Sequence, residues 1–296
     1  MAITTVGLLS PGDMGHSVGG VLHQHGLRVL TCLDGRSDRS RALAAEAGME
    51  DVPSLDHLVE QADIFLSILV PSASVELATK IAAAMRETGT ELLYADCNAV
   101  APQTVRRAAE VVMAAGADFA DVGIIGPPPR KPGTRFYASG PGAEKFAELN
   151  NFGLNVPILA DEIGQASGLK MCYGAMTKGL QALATELLVA AKAMGLDKTL
   201  REEQRGSVPD LIGWVENSLP IMPPKAYRWV PEMEEIASFF DEVGLTPGIF
   251  NGAADLYRFV AETPIGKESP ESRDKNRDMD GVVAALTRAL PERQLV

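Results

Sequence analysis

The sequence predicts an α/β protein with a doubly wound, mostly parallel sheet in its N-terminal part and an all-α C-terminal part. Up to residue 162, short apolar runs alternate with helical stretches, which is typical of parallel strands joined by crossover helices. From residue 163 onward the apolar residues keep a helical spacing, and no convincing strand interrupts them. A chain of 296 residues also favours two domains, which we place at residues 1–162 and 163–296.

Apolar runs and helical spacing give the order of the elements. The predicted strands lie at residues 4–10, 27–33, 63–70, 91–97, 118–125, 135–139 and 156–160. The predicted crossover helices lie at residues 14–25, 38–47, 72–86 and 102–115. One long helix rich in Ala and Leu then ends at Gly195, a residue suited to a helix cap with positive φ. A solvated, charged loop at 263–281 is predicted among further helices at 208–218, 232–243, 249–261 and 278–289.

The composition argues against several classes of protein. A formal net charge of −12 disfavours a nucleic-acid partner, because such proteins neutralise phosphates with Lys and Arg. No apolar run reaches about 18 residues, so we expect no membrane span. No basic segment precedes the apolar start, so we expect no signal peptide and predict a cytoplasmic location. Three widely spaced cysteines favour reduced core thiols. The histidines lack metal-ligand spacing, so no metal site is expected.

A glycine-rich turn follows the first predicted strand and leads into a helix. Its sequence, "GLLSPGDMG", places Gly7, Ser10, Gly12 and Gly15 where a dinucleotide-binding turn needs small residues. The start of the following helix offers N–H groups and a positive dipole end to a pyrophosphate. This context predicts a Rossmann domain that binds a dinucleotide; the alternative is a tight turn that merely starts a core helix. The predicted contacts in this turn are Ser10, Pro11, Gly12, Asp13 and Met14.

The second predicted strand ends in "LDGRSDRSR", where the adenosine ribose should lie. Asp34 alone would suit the ribose hydroxyls of NAD. Arg36 and Ser37 supply a guanidinium and a hydroxyl that suit a 2′-phosphate, with Arg39 and Arg41 just beyond. We therefore predict NADP, with NAD possible; the alternative is that these arginines only cover a solvated helix start.

Together these residues resemble the β-hydroxyacid dehydrogenase superfamily, which includes 3-hydroxyisobutyrate dehydrogenase, 6-phosphogluconate dehydrogenase and the imine reductases. The likeness covers essentially the whole chain. "ADCNAVAP" is similar to the family's loop near the nicotinamide, which implies cofactor contacts at Asn98 and at the preceding strand end, Leu69 and Val70. "DVGIIGPP" is similar to its substrate loop. "GQASGLKMCYG" resembles the catalytic helix and implies that Lys170 is the catalytic lysine.

The motifs "LDGRS", "DCNAV", "GIIGPP" and "KMCYGAMTKG" together resemble a 6-phosphogluconate-dehydrogenase-like branch whose C-terminal region is a domain of unknown function. That resemblance implies a helical domain that carries a homodimer contact, and long helices rich in Ala, Leu and Met favour the same outcome. Two positions depart from the parent pattern. Gly174 replaces an Asn and Ile125 replaces a Ser, so two polar groups that orient a substrate carboxylate are absent.

The long helix carries a polar stripe on one face. At about 100° per residue, Lys170, Gly174, Thr177 and Gln181 share this face, with Tyr173 at its edge. Apolar surroundings favour the neutral amine of a lysine, so Lys170 suits general acid/base chemistry; the alternative is a lysine that snorkels from the helix surface. We expect Gly174 to leave room opposite the nicotinamide and Thr177 to replace the lost Asn. Lys178 is predicted to be an auxiliary or surface charge.

The Pro-rich stretch "PPPRKPGTR" is a candidate for the missing anchor of an anionic substrate. Its cations are Arg130, Lys131 and Arg135; a solvated basic loop is the equal alternative. The predicted substrate-binding residues are Gly123, Ile124, Ile125, Arg130, Tyr173, Gly174 and Thr177.

Three functions are compatible with these features. The first is an NADP-dependent oxidoreductase acting on a small hydroxy acid or a related alcohol by hydride transfer. The second is a reductase of C=N bonds, which the loss of the carboxylate anchors favours. The third is a non-catalytic NADP-binding regulatory protein.

Overall fold

The computed structural model describes residues 3–130, 133–269 and 272–291. Within these ranges the strands are Thr5–Leu9 (β1), Arg28–Thr31 (β2), Glu50–Asp51 (β3), Ile64–Ser67 (β4), Leu93–Asp96 (β5), Asp118–Ile125 (β6), Arg135–Ser139 (β7) and Ile158–Ala160 (β8). The α-helices are Gly15–Gln24 (α1), Asp38–Glu46 (α2), Leu55–Gln61 (α3), Ser74–Thr88 (α4), Pro102–Met113 (α5), Ala143–Ala147 (α6), Gln165–Ala193 (α7), Asp197–Ser207 (α8), Pro209–Ser218 (α9), Ala226–Glu242 (α10), Gly248–Glu262 (α11) and Met279–Arg288 (α12).

All eight strands form one sheet in the order β3-β2-β1-β4-β5-β6-β7-β8. Neighbouring strands from β3 to β6 are parallel, whereas β7 runs antiparallel to β6. The chain builds outward from β1 to β3 and then restarts on the other side of β1 with β4. This reversal creates a crevice at the carboxyl ends of β1 and β4, which is where open α/β sheets bind ligands. The predicted fold class is confirmed.

The core of this sheet unit lies on both faces of the strands. Successive residues of β4 show why: Ile64 and Leu66 belong to one buried cluster, and Phe65 between them belongs to the other. Side chains alternate across a strand, so a sheet covered by helices on both faces needs continuous apolar runs. The rigid sheet that results holds the loops at its carboxyl edge in place.

The chain divides into two compact units between Tyr173 and Gly174, later than the predicted boundary after residue 162. The division lies inside α7, because the first residues of this helix bond to the sheet. The second unit consists of the remainder of α7 and helices α8 to α12.

Several elements differ from the sequence prediction. Helix α10 begins at Ala226 rather than at 232, so Pro231 lies inside the helix and does not start it. Proline lacks a backbone N–H, and the helix tolerates the loss of this one hydrogen-bond donor. Helix α8 was missed because it buries none of its residues and therefore shows no apolar periodicity. Cys32 and Cys97 are buried as expected, but Cys172 is exposed, so the core prediction was wrong for that thiol. Among the described residues, none of the helices has the length and apolarity needed to cross a membrane.

Candidate active site

The glycine-rich turn joins β1 to α1 at the crevice of the sheet. A Cβ atom on Gly15 would lie 1.9 Å from the carbonyl oxygen of Ser10, so only glycine fits there. A Cβ on Gly12 would meet no atom within 4 Å, which leaves open space beside the turn. The backbone N–H of Ser10 donates to Ile68 O at 2.8 Å and ties the turn to the end of β4. The turn therefore has the shape of an anion cradle at a helix N-terminus.

His16 supports this turn from inside, a role that our sequence reasoning missed. The residue is 4% exposed, and its Nδ1 lies 2.6 Å from Gly12 O. The Ser17 hydroxyl donates to Asp13 O at 3.0 Å. Two carbonyl groups of the turn are thus held by side chains one helical turn further on. The signal in the sequence is a histidine directly after the last glycine of the motif.

The segment after β2 presents its predicted cofactor residues to solvent. Asp34, Arg36 and Ser37 are all exposed. The Ser37 hydroxyl also caps α2 by accepting a bond from the Ser40 N–H at 3.3 Å. Ser37 therefore stabilises the start of α2 whether or not a ligand is bound.

Asn98 links the carboxyl ends of β4 and β5. Its Oδ1 accepts from Leu69 N–H at 2.6 Å, and its Nδ2 donates to Ser67 Oγ and to Asp96 Oδ1, both at 2.8 Å. Asn98 is 3% exposed. Because its Oδ1 binds the Leu69 N–H, this amide positions the loop that contains Leu69 and the exposed Val70.

Asp96 is a fully buried carboxylate beneath this loop. It also accepts bonds from Ser74 Oγ at 2.7 Å and from Asn98 N–H at 3.0 Å. Burial is the main cause that raises its pKa from 3.8 to about 6; these hydrogen bonds oppose the increase, and the charge of Asp121 adds to it.

The raised pKa of Asp96 predicts that the stability of the fold depends on pH. Because the folded protein holds this proton more tightly than the unfolded chain does, stability from Asp96 is fully present below pH 3.8 and is lost as the pH rises through about 6. The loss should total about 3 kcal/mol of unfolding free energy. Asp96→Asn removes this titration, so the variant should gain stability relative to the parent as the pH rises from about 4 to about 7 in urea unfolding. If the unfolding free energies of the parent and the variant changed in parallel with pH, a raised pKa of Asp96 would be contradicted.

Asp121 anchors the start of α7 to the sheet. This buried carboxylate accepts bonds from Gly164 N–H at 2.9 Å, Ser167 N–H at 3.0 Å and Ser167 Oγ at 2.7 Å, and from Ser139 Oγ at 3.1 Å. Desolvation is the main cause that raises the pKa of Asp121. Its position at the N-terminal end of a helix favours a negative charge. The first turn of α7 is therefore fixed against β6.

Lys170 lies on the next turn of α7 and reaches the end of β6. Its Nζ donates to Ile124 O at 2.5 Å. A Cβ on Gly123 would lie 2.6 Å from Ala166 O and 3.4 Å from the Lys170 Cβ, so this glycine allows the helix to approach the strand closely. The structure thus brings together Gly123, Ile124 and Lys170. The neighbouring Ile125 is buried, and Tyr173 is 42% exposed.

Gly174 lies against helix α10. A Cβ at this position would lie 3.1 Å from Ile236 Cδ1 and 3.5 Å from Glu232 Oε1, both on α10. Gly174 therefore admits the close approach of α10, which occupies the position that a side chain would take; room opposite the nicotinamide stays a prediction. Thr177, one turn further on, is half-buried.

Lys178 is not the surface charge that we predicted. Its Nζ donates to Glu232 Oε1, and the two side chains are 16% and 11% exposed. The Trp229 ring lies 5.6 Å from the Lys178 ammonium, and the Tyr257 hydroxyl donates to Lys178 O at 2.6 Å. Desolvation, followed by the charge of Glu232, raises the pKa of Tyr257, so its hydroxyl stays neutral.

Two cations of the predicted anion anchor, Arg130 before β7 and Arg135 at its start, are exposed to solvent. Arg130 Nη1 is 3.5 Å from Glu46 Oε1 at the end of α2, with both side chains more than half exposed. Arg135 is exposed and lies 3.5 Å from the Tyr137 hydroxyl. Lys131 lies outside the described residues. Over the described ranges, no group of three or more His, Cys, Asp or Glu side chains could hold a metal ion.

Comparison with known families separates the chain into two matched regions. Residues 3–151 match the NAD binding domain of 6-phosphogluconate dehydrogenase. Residues 191–260 match a domain of unknown function, DUF1932.

Two curated relatives are similar to parts of the chain. An uncharacterised 28.5 kDa protein of Methanothermus fervidus is 30% identical over 176 residues, which are 60% of this chain and 66% of that protein. A 3-hydroxyisobutyrate dehydrogenase of Pseudomonas aeruginosa is 28% identical over 207 residues, 68% of each chain. The chain thus aligns with about two thirds of the length of each relative.

Solved structures show the same fold over more of the chain. A conserved hypothetical protein from Sinorhizobium meliloti is 25% identical, with a TM-score of 0.68 and coverage of 98% of this chain and 97% of that one. An imine reductase from Bacillus cereus shares the fold at 17% identity and a TM-score of 0.54, over 91% of this chain and 97% of that one. The match over residues 3–151, on a sheet with the strand order and glycine turn described above, places the chain in the 6-phosphogluconate dehydrogenase NAD-binding family of nicotinamide-dependent oxidoreductases.

Proposed function

We propose that this protein is an NADP-dependent oxidoreductase that interconverts a small hydroxy acid, or a related alcohol, and its carbonyl form. The observation that carries the proposal is the fixed Lys170 ammonium, which bonds to Ile124 O at the carboxyl end of β6. The glycine turn at the end of β1 lies at the same edge of the sheet, because β1, β4, β5 and β6 are parallel. The turn proposed to hold the dinucleotide and the lysine proposed as the acid/base group therefore lie in the same unit of the fold.

The residues present fit a dinucleotide. Gly15 occupies a position that any Cβ would block, and Gly12 opens space beside the N-terminus of α1, where a pyrophosphate would be held. Arg36 and Ser37 would bind a 2′-phosphate, and Asn98 would position the loop of Leu69 and Val70. When bound, the nicotinamide supplies or accepts the hydride.

Lys170 would move the proton that accompanies the hydride. In carbonyl reduction its ammonium donates a proton to the carbonyl oxygen, and in alcohol oxidation the neutral amine accepts the hydroxyl proton. The bond to Ile124 O restricts the position of Nζ, which favours such a transfer because acid/base catalysis requires fixed geometry. Substrate-binding roles for Arg130, Tyr173, Gly174 and Thr177 stay predictions, as do the homodimer and the cytoplasmic location.

A reductase of C=N bonds is the second candidate. Two observations favour it: Gly174 and Ile125 stand where the resembled enzymes carry polar carboxylate anchors, and solved imine reductases share the fold.

A substrate panel with NADPH, NADH and their oxidised forms separates these functions. Short hydroxy acids and their keto acids should turn over if the leading proposal is right, whereas activity on cyclic imines alone would favour the second candidate. Tight dinucleotide binding with no turnover across both panels would contradict both and favour a regulatory protein.

A further inference from the structure

Asp13 carries a negative charge into the glycine-rich turn. It lies between Gly12 and Met14, just ahead of α1, and its side chain is 33% exposed. A helix N-terminus attracts anions, so a carboxylate here competes with a phosphate for the same positive dipole end. This cost must be offset by a nearby cation if the turn is to bind a dinucleotide.

Arg39 supplies that cation from the neighbouring crossover. Its Nη2 donates to Asp13 Oδ1 at 2.7 Å. Arg39 lies in the first turn of α2, and strands β1 and β2 pair in parallel, so the turns that follow them lie side by side. The ion pair therefore joins the place of the pyrophosphate to the place of the adenosine ribose. The Arg39 side chain is 49% exposed and within reach of a ligand at that edge.

The arginines of this segment have different tasks. Arg41 Nη2 donates to Leu33 O at 2.6 Å, so this guanidinium supports the backbone at the end of β2. Arg36 is exposed beside the capping residue Ser37. A 2′-phosphate would thus meet Arg36 directly, and would compete with Asp13 for the Arg39 guanidinium.

We propose that Asp13 is a specificity-determining residue that lowers the preference for a 2′-phosphorylated dinucleotide by holding Arg39. A dinucleotide with the 2′-phosphate takes Arg39 from Asp13 and loses that ion pair, whereas one without the phosphate leaves the pair intact. The inference rests on the proposed dinucleotide-dependent function.

The test measures the dissociation constants of NADP+ and NAD+ by titration calorimetry for the parent protein and for Asp13→Asn. Because exposed ion pairs are weak, release of Arg39 should tighten NADP+ binding about threefold to fivefold relative to NAD+. In an Arg39→Gln background the same Asp13→Asn change should leave the ratio of the two constants unaltered. Asp38→Asn, an exposed carboxylate directly before Arg39, is the matched control and should also leave the ratio unaltered.

Several results would overturn the inference. An equal gain for both cofactors would mean that Asp13 only repels the pyrophosphate. A shifted ratio that persists without Arg39, or one that Asp38→Asn reproduces, would mean that general charge and not the ion pair sets the preference. If the parent protein binds neither cofactor, the proposed function itself fails. If it binds both, and Asp13→Asn leaves the ratio of the two dissociation constants unchanged, only this inference fails.

Discussion

Replacement of Lys170 by methionine should reduce turnover by about 10²- to 10⁴-fold while cofactor affinity changes little. Methionine keeps most of the length and apolar stem of the side chain but has no proton to transfer. The cradle at Gly12 and Gly15 lies on a different element, so the dissociation constant of the dinucleotide should stay within about twofold. Single-turnover kinetics and calorimetry on the same preparation measure the two quantities.

A second variant separates proton transfer from charge. Lys170→Arg keeps a cation that can donate to Ile124 O, but a guanidinium does not lose its proton in a protein. It should therefore be nearly as slow as Lys170→Met if the lysine acts as the acid/base. Near-normal turnover of the Arg variant would show that only the positive charge matters, and near-normal turnover of the Met variant would refute a catalytic role. Lys192→Met, near the other end of α7, is the control for loss of an exposed lysine from the same helix.

The glycine turn could be predicted from sequence because its geometry is local. Ser10, Gly12 and Gly15 lie within one strand-turn-helix segment, and a close contact between Gly15 and Ser10 O explains why the spacing is fixed. The sheet was predicted for a similar reason, since strands buried on both faces read as continuous apolar runs.

The contacts of Lys170 could not be derived from spacing alone. Its partner Ile124 and the anchor Asp121 lie on β6, more than 40 residues earlier, so their meeting depends on how α7 docks on the sheet. Family resemblance located the lysine, but the carboxylate that fixes its helix was not recognised. An aspartate in the middle of a largely apolar strand was the signal, because a buried carboxylate requires donors from another element.

Gly174 and Lys178 show what helical periodicity alone does not reveal. Angular position on α7 gives the face of each residue, but it does not say whether a neighbouring helix covers that face. Helix α10 brings Glu232 to both residues, which closes the space beside Gly174 and pairs Lys178. No feature within α7 indicates this partner.

Breaking the Lys178–Glu232 ion pair should be strongly destabilising. Lys178→Met leaves the Glu232 carboxylate, on a side chain only 11% exposed, without its ammonium. Loss of one partner from a buried pair costs about 3 to 5 kcal/mol of unfolding free energy. The variant also removes the cation that lies 5.6 Å from the Trp229 ring. Chemical unfolding followed by circular dichroism measures the loss.

Two further variants show whether the buried charge causes this loss. The double variant Lys178→Met/Glu232→Leu removes both charges, so it should regain most of the lost stability, because an apolar pair of similar volume can replace a buried ion pair. Arg205→Met breaks the pair of Arg205 with Glu216, whose side chains are 60% and 36% exposed, and should cost no more than about 1 kcal/mol. If Lys178→Met lowered the free energy of unfolding as little as Arg205→Met does, water would have to screen the Lys178–Glu232 pair. A double variant as unstable as the single one would mean that packing of the lysine stem, and not the charge left on Glu232, accounts for the effect.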